Sequence, residues 1–515
     1  RLNLLIMFKS CCRCNFVKII NSSYLLHGPN IYYSTVEIAS ENNNISIDKP
    51  KPDIKARVRA KKKPTTDVIS QKLSDKSKER AVPSSRISRM LNYGGLVAGL
   101  GLGALSESVR KQIGLSAANT YSDSSFLSEA NIERIVSTLC KVRGAALKFG
   151  QMLSIQDNNF IPKEVQQLFD RVRANADFMP QWQTEQLLSS ELGNDWKSLF
   201  KEFNMMPFAA ASIGQVHQAV TLNNIPVAVK IQYPGVAESI DSDIDTLLSI
   251  LNFSKILPEG LFLEQAADVA RKELSWEVDY KREAQSSAKF KELLDGDDDY
   301  FIADCFPHLS TKRVLTTELL QGVPLDEVAF MDQNTRNRVS IMVLRLCLRE
   351  LFEFNYMQTD PNWSNFFYNK ETDQLCLLDF GASRAYNKSF VDVYIKVIDG
   401  AARCDTRVVE SLLTKLGFQT GYESKALISA NVEAVMALGK PFANDEVFDF
   451  SKQDITYKIK ELIPTMLRHR LTSPPEESYS LHRKLSGAFL LCTKLNAKIN
   501  CYNIFRDIYD SYDFK

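Results

Sequence analysis

The stretch 358–381 restricts what this chain can fold into more than any other. It reads Q-T-D-P-N-W-S-N-F-F, a short variable segment, then L-C-L-L-D-F-G. Asp360 is followed five residues later by Asn365, and Asp379, Phe380 and Gly381 close the unit. These residue types suit phosphoryl transfer from a nucleotide. One carboxylate handles the proton of the nucleophile, while a carboxamide oxygen and a second carboxylate hold Mg²⁺ against the phosphates. Hard oxygen ligands suit that ion, which takes few protein groups and keeps several waters. Asp-Phe-Gly alone is a weak signal, because any aspartate at a strand end can precede Phe-Gly. The paired motif is stronger.

More of the same machinery lies upstream. V-A-V-K places Lys230 near the end of an alternating apolar run, 227–231, which predicts a half-buried strand. A lysine there can reach the α- and β-phosphates of ATP. Glu283, in Y-K-R-E-A, falls on a predicted helix and can hold that lysine as an ion pair. Taken singly, each reads as a surface salt bridge or a solvated helix face. The ordered set Lys230, Glu283, Asp360, Asn365 and Asp379 follows the protein-kinase pattern. Three departures are as informative as the matches. The Gly-rich phosphate loop is replaced by A-A-A-S-I-G-Q-V at 209–216. Alanines restrict φ and stiffen the turn, so the loop is expected to offer its backbone N–H groups and the Ser212 hydroxyl in a different pose. Gln358-Thr359 stands where His-Arg usually precedes the catalytic aspartate, and no A-P-E follows the D-F-G, which argues against a platform for protein substrates.

With K-F-G-Q (148–151), A-A-A-S (209–212) and E-V-D (277–279) added to D-P-N-W-S-N and D-F-G, the chain resembles the UbiB (AarF-domain) atypical kinases. Within them it is similar to the animal mitochondrial proteins that support coenzyme Q biosynthesis. The resemblance runs from Tyr93 to the C-terminus and implies roles residue by residue. Lys230 would contact the phosphates of ATP and pair with Glu283. Asp360 would be the catalytic aspartate, with Asn365 and Asp379 as Mg²⁺ ligands. Ala209, Ala210, Ala211 and Ser212 would line the nucleotide. The run from Thr316 to Leu320 would be the hinge, with the backbone of Thr317, Glu318, Leu319 and Leu320 meeting adenine. Lys148, Gly150 and Gln151 would sit on a helix laid across the place where a protein substrate normally docks, with Glu277 and Asp279 facing it.

The residues around K-F-G-Q also support a helix on their own. Ile132, Ile135, Val136, Leu139, Val142, Ala146 and Phe149 recur at spacings of three and four, which predicts one amphipathic helix. Ser128 is its expected N-cap, with Glu129 in the first turn. Lys148 and Gln151 then share a face. Gly150 permits close backbone approach at roughly 1 kcal/mol against alanine. Alone, this reads as an ordinary solvated helix end. Beside the kinase motifs, Lys148 is placed to stabilise phosphate charge, and the helix to exclude bulky acceptors.

The formal net charge is +1, so no bulk attraction to nucleic acid is expected. Cys11, Cys12 and Cys14 lack the second half of a zinc site, whereas Cys140, Cys347, Cys376 and Cys492 sit in apolar surroundings and read as core thiols. The histidines form no metal-spaced pair, and His217 reads as a strand residue rather than a base. Up to Ser34 the chain has basic but no acidic residues, the balance of a mitochondrial transit peptide or of a disordered tail; the resemblance favours the first. Residues 49–88 are polar, with the basic run 61–63, and are expected to form a disordered linker. Next comes L-N-Y-G-G-L-V-A-G-L-G-L-G-A-L-S, 91–106. Its charge-free core is shorter than the roughly 20 residues that span a bilayer, and Gly95, Gly99 and Gly103 repeat at the spacing that lets helices pack closely in lipid. A tilted membrane helix, an interfacial anchor and a Gly-rich loop all fit; the resemblance favours membrane association.

The expected fold is α+β: an atypical protein-kinase-like bilobal fold with an N-terminal helical K-x-G-Q extension and a mainly helical large lobe. The expected segments are a targeting stretch (1–48), the linker (49–88), a candidate membrane segment (89–110), the K-x-G-Q extension (122–203), a small lobe with an antiparallel sheet (204–320) and the large lobe (321–515). A helix break is expected at Ser473-Pro474-Pro475. ATP and Mg²⁺ would bind between the lobes. Three functions compete: a kinase or ATPase serving coenzyme Q biosynthesis at the matrix face of the mitochondrial inner membrane, a conventional protein kinase, and a nucleotide-gated lipid-binding scaffold with negligible turnover. The implied partners are inner-membrane lipids such as cardiolipin, coenzyme Q biosynthesis proteins, quinone-precursor small molecules and a second copy of the chain, with no nucleic acid.

Overall fold

The alternation in V-A-V-K is realised as an interior strand of a five-stranded antiparallel sheet. In the computed structural model of this chain, which describes residues 78–83, 85, 88–96, 99, 129–145, 148, 177–254 and 263–514, strands β1 (Phe200–Phe203), β3 (Gly214–Thr221), β4 (Pro226–Gln232) and β6 (Val314–Glu318) lie in that order, and β2 (Ala209–Ala210) pairs with β3. Along β4, Val227, Val229 and Ile231 are fully buried, while Ala228 and Lys230 face the opposite side. The period of two in the sequence therefore sends apolar side chains into a core and the lysine into a cleft. Lys230 stands opposite Val216 on β3 and Leu315 on β6.

That core is shared with the N-terminal extension. Ile132, Val136, Leu139 and Val142 of α1 (Glu129–Val142) join Leu188, Trp196, the β4 valines and Ile240 and Ile244 of α2 (Val236–Ser254) in one cluster. Two helices follow: α3 (Leu263–Glu277) and α4 (Tyr280–Leu293). A second core belongs to the large lobe. It is built on α5 (Gln333–Phe352) and α6 (Glu476–Lys494), with the helix Lys388–Ala402 against them.

Several expectations need correction. The large lobe is mainly helical, as expected, but its motifs stand on short strands. It carries a four-stranded sheet in the order β5 (Tyr300–Ile302), β10 (Gln374–Leu377), β9 (Phe366–Asn369), β7 (Val323–Pro324), and a two-stranded ladder of β11 (Ser383–Ala385) with β8 (Tyr356–Gln358). These strands present the motifs: Asp360 follows β8, Asn365 precedes β9 and Asp379 follows β10. The small-lobe sheet starts at Phe200 rather than 204, because the buried Phe200 ring anchors β1 to β3. The end of the expected linker is ordered. Glu79 bridges Phe178, and Val82 is buried with its N–H donated to Gln183 Oε1 at 3.0 Å. The start of the candidate membrane segment packs on protein: residues 88–96 are helical, with Arg89, Tyr93 and Leu96 buried. Residues 97, 98 and 100–110 lie outside the described residues, among which no helix is long and apolar enough to cross a membrane.

The amphipathic helix does not run unbroken into K-F-G-Q. It stops at Val142, because Arg143 (φ +52°) and Gly144 (φ +81°) both take left-handed backbone, and helix resumes at Ala145 and Lys148. Ser128, Ala146, Phe149, Gly150 and Gln151 lie outside the described residues. The proline break is realised between the helix Ile455–His469 and α6.

Candidate active site

The two lobes enclose a cleft of about 910 Å³, within the roughly 300–1,000 Å³ range of ligand pockets. Its walls include the Ala-rich loop, Lys230, Glu283, Lys148, Glu277, and Asp360, Asn365 and Asp379. These sequence-predicted residues thus converge on one place.

Two half-buried lysines organise it. Lys230 Nζ donates to both oxygens of Glu283, at 2.9 and 3.0 Å, and to Asp379 Oδ2 at 2.9 Å. Lys148 Nζ donates to Asp360 Oδ2 at 2.7 Å and pairs with Glu277 Oε1 at 3.1 Å. Burial disfavours charge on every member, and the neighbours decide the outcome. For Lys148, burial lowers its proton affinity, but Asp360 and Glu277 outweigh it and keep the ammonium charged. Lys230 is likewise raised, by Asp379 and Glu283 against burial. Burial pushes Glu277 and Glu283 up to about 7, with Lys148 and Lys230 respectively pulling against it. Asp360 goes the other way: burial opposes ionisation, but Lys148 holds it down at about 2. Asp379 is also lowered, by Lys230 and Lys148 over the burial that opposes them.

The cleft wall carries six carboxylates (Glu277, Glu283, Glu318, Asp326, Asp360 and Asp379) against three lysines (Lys148, Lys230 and Lys494), an excess of acidic groups that a cation can meet. The donor chemistry fits Mg²⁺. Asp379 and Asn365 both line the cleft and offer oxygen atoms, and the buried Asn365 Nδ2 has no hydrogen-bond partner among the described residues. Two protein oxygens suit an ion that takes its remaining ligands from phosphate and water.

The hinge is narrower than expected. Thr316 is fully buried inside β6. The N–H groups of Glu318 and Leu319 are already donated, to Asp304 O at 2.9 Å and Pro226 O at 3.0 Å. Thr317, Glu318, Leu319 and Leu320 do line the cleft. Asp279 is a correction. Its carboxylate caps α4, accepting from the N–H of Lys281 (3.1 Å) and Arg282 (3.3 Å), and it is not part of the cleft wall. Its acidic side chain at a helix N-terminus gives its place in E-V-D a structural reason.

Sequence reasoning missed the residues that hold the aspartates. Gln358, noted only as a departure, is buried; its Nε2 donates to Asp379 O at 3.0 Å and its Oε1 accepts the Asp360 N–H at 2.6 Å. A side chain carrying both a donor and an acceptor joins the two catalytic segments, and that dual capacity was the available signal. Gly487 of α6 was also missed: a Cβ there would sit 2.3 Å from Pro361 Cβ, so only glycine lets α6 press on the Asp360 loop. Phe380 is buried 5.1 Å from the Phe290 ring of α4, which ties the D-F-G turn to the helix that carries Glu283.

Residues 171–413 match the ABC1 atypical kinase-like domain. The chain is 53% identical over 463 residues to a zebrafish (Danio rerio) protein named atypical kinase COQ8B, mitochondrial, covering 90% of this chain and 74% of that protein. It is 44% identical over 437 residues to atypical kinase COQ8, mitochondrial, of Saccharomyces cerevisiae, covering 84% of this chain and 87% of the relative. Among solved structures, a Mycobacterium tuberculosis protein, Rv3197, determined with erythromycin, superposes with a TM-score of 0.52 at 23% identity, over 73% of this chain and 95% of the other. That likeness concerns the fold.

Proposed function

Since this chain belongs to the ABC1 atypical kinase family and is an enzyme of the kinase/ATPase type, we propose that it is a Mg-ATP-dependent phosphotransferase or ATPase that supports coenzyme Q biosynthesis in the mitochondrion, at the matrix face of the inner membrane. The observation that carries the proposal is the convergence of Lys230, Glu283, Asp360, Asn365 and Asp379 on one cleft. The relatives' names supply "mitochondrial", and the motif resemblance supplies the quinone pathway.

The side chains divide the work. Lys230, charged and fixed by Glu283, holds and orients the phosphates. Asn365 and Asp379 would hold Mg²⁺, which when bound would neutralise charge developing on the transferred phosphoryl group. Asp360 orients the acceptor and takes its proton late, as its low proton affinity implies. Lys148 sits on that carboxylate, so a large acceptor cannot reach it while the 2.7 Å contact stands. Water or a small phenolic quinone precursor is the acceptor that fits; a protein hydroxyl does not. The same Lys148–Asp360 contact favours, as a second reading, a nucleotide-gated lipid-binding scaffold with slow turnover. Cardiolipin, coenzyme Q biosynthesis proteins and a second copy of the chain are the proposed partners.

Phosphate release should be measured from Mg-ATP with and without cardiolipin-containing vesicles and candidate quinone-precursor phenols. Release that rises with vesicles and phenol is the expected result. Nucleotide binding without release under any condition would favour the scaffold, and no binding at all would remove the proposal.

A further inference from the structure

The loop that stands in place of a Gly-rich phosphate loop is held from behind by residues outside it. Three consecutive carbonyls are captured on one side. Ala211 O accepts from Arg143 Nη1 at 3.0 Å, Ser212 O from the Gly144 N–H at 2.9 Å, and Ile213 O from the Tyr233 N–H at 2.9 Å. A trans peptide places its N–H on the edge opposite its C=O. Pinning these carbonyls therefore turns the N–H groups of Ser212 and Ile213 the other way. Neither N–H has a partner among the described residues, and both residues line the cleft. Successive free N–H groups on a cleft-lining turn form a concavity for an anion.

The capturing corner is itself built for this. Arg143 and Gly144 share the left-handed region (φ +52° and +81°), which ends α1 and aims both the guanidinium and the next N–H at the loop. A non-glycine residue in that region is uncommon. Arg143 is almost fully buried, its Nη1 also bonded to Tyr233 Oη at 2.7 Å and its guanidinium 5.0 Å from the Tyr233 ring centroid. A second buried arginine locks the corner. Arg89 Nη2 donates to Arg143 O at 2.7 Å, and Arg89 is ion-paired with Asp243 of α2. A Cβ on Gly144 would lie 2.9 Å from Arg89 Nη2 and 3.3 Å from Val236 Cγ2, on backbone that side chains rarely adopt, so a substitution there would strain the corner.

We propose that Arg143 is a positioning residue for the nucleotide: by fixing the Ala211 carbonyl it sets the pose of the phosphate-facing N–H groups, and so helps to set the preference between a nucleoside triphosphate and a diphosphate. The proposal rests on nucleotide binding in the cleft. Arg143 touches neither substrate nor metal. It acts through the loop, from a segment that precedes the kinase motifs.

The test is calorimetric titration of the full chain with Mg-ATP and with Mg-ADP, for the wild type, Arg143→Gln, Arg143→Lys and Tyr233→Phe, each checked for melting temperature. Arg143→Gln is expected to change the ratio of the two dissociation constants by about fivefold, a fraction of the weight of one charge-assisted hydrogen bond, because the loop transmits only part of the loss. Arg143→Lys should restore part of that ratio, because an ammonium can still donate to Ala211 O. Tyr233→Phe, which frees Nη1 from its second acceptor, should move the ratio less. A folded Arg143→Gln protein with an unchanged ratio overturns the proposal. Should both Arg143 variants fail to fold, an unaltered ratio in Tyr233→Phe overturns it instead. A wild-type chain that binds neither nucleotide defeats the functional reading itself, whereas wild-type binding with an unresponsive ratio defeats only this inference.

Discussion

The two lysine clusters of the cleft are built alike and do different things. In each, one ammonium bridges a helix-borne glutamate and a large-lobe aspartate at 2.7–3.1 Å. In each, burial lifts the glutamate to about 7 while the aspartate stays ionised. They differ in where the lysine comes from. Lys230 is rooted in β4 between two hydrogen-bonded strands, so its position is set by the sheet. Lys148 lies in helix that resumes beyond the Arg143–Gly144 corner, and it sits on the carboxylate that would serve the acceptor. On the proposed function, the same ionic chemistry would hold a phosphate-binding lysine in one cluster and guard a catalytic base in the other. What decides the difference is the scaffold behind each side chain.

Exchanging the lysines tests that contrast with the largest effect. Lys230→Met should lower Mg-ATP turnover by about a hundredfold or more, because the charge it supplies to the phosphates is worth most in the transition state. A variant retaining most of its turnover would break the comparison. Lys148→Ala should act in the opposite sense on a different readout. Losing contacts worth about 1.4 kcal/mol would raise the population with an accessible Asp360 roughly tenfold, so radiolabel incorporation into the chain itself should increase. Absence of labelling in both wild type and variant would leave the guard role without support.

Acidity gives a smaller effect. Glu277 and Glu283 are raised from an ordinary value of 4.5 to about 7. Between those values the folded chain holds protons that the unfolded chain has released. Their contribution to stability is thus full below about pH 4.5 and lost as pH rises through about 7. Asp360, lowered from 3.8 to about 2, has the opposite sign: its contribution is present above pH 3.8 and lost as pH falls through about 2. The chain without nucleotide should therefore melt a few degrees lower at pH 8 than at pH 6, and Glu283→Gln should flatten that slope. An identical slope in the variant would show that the glutamates are not the source. The smallest change expected is from Ala211→Gly. Freeing the backbone at that position should alter the ratio of ATP to ADP affinity by about threefold, and equal ratios would mean that the alanine does not tune the loop.

What the sequence disclosed, and what it hid, follows from range. Lys230 was legible because a period-two apolar run declares a strand, and Asp360, Asn365 and Asp379 because their spacing is local. Glu283 needed only a helix and a motif. Asp279 misled, because an aspartate in E-V-D has the same letters whether it faces a catalytic helix or caps its own. The break at Arg143 was hidden because Ala146 and Phe149 continue the apolar spacing across it, and only the backbone shows the turn. Gln358 and Gly487 were silent for a further reason. Their roles lie in contacts with Asp379 and with Pro361, the latter 126 positions away from Gly487 in the chain, and no local pattern reports such contacts. The order at Val82 escaped for the same cause: Gln183, which fixes it, is 101 residues distant.

One measurement bears most directly on the claim that both clusters serve a single magnesium-bound nucleotide. Phosphate release from ATP should be followed across a Mg²⁺ titration in the wild-type chain and in Asp379→Asn, which removes a metal-holding carboxylate and keeps the shape. The wild type is expected to show saturable, Mg²⁺-dependent release, and the variant almost none at any Mg²⁺ concentration. Equal release by the two proteins, with the same Mg²⁺ dependence, would contradict it.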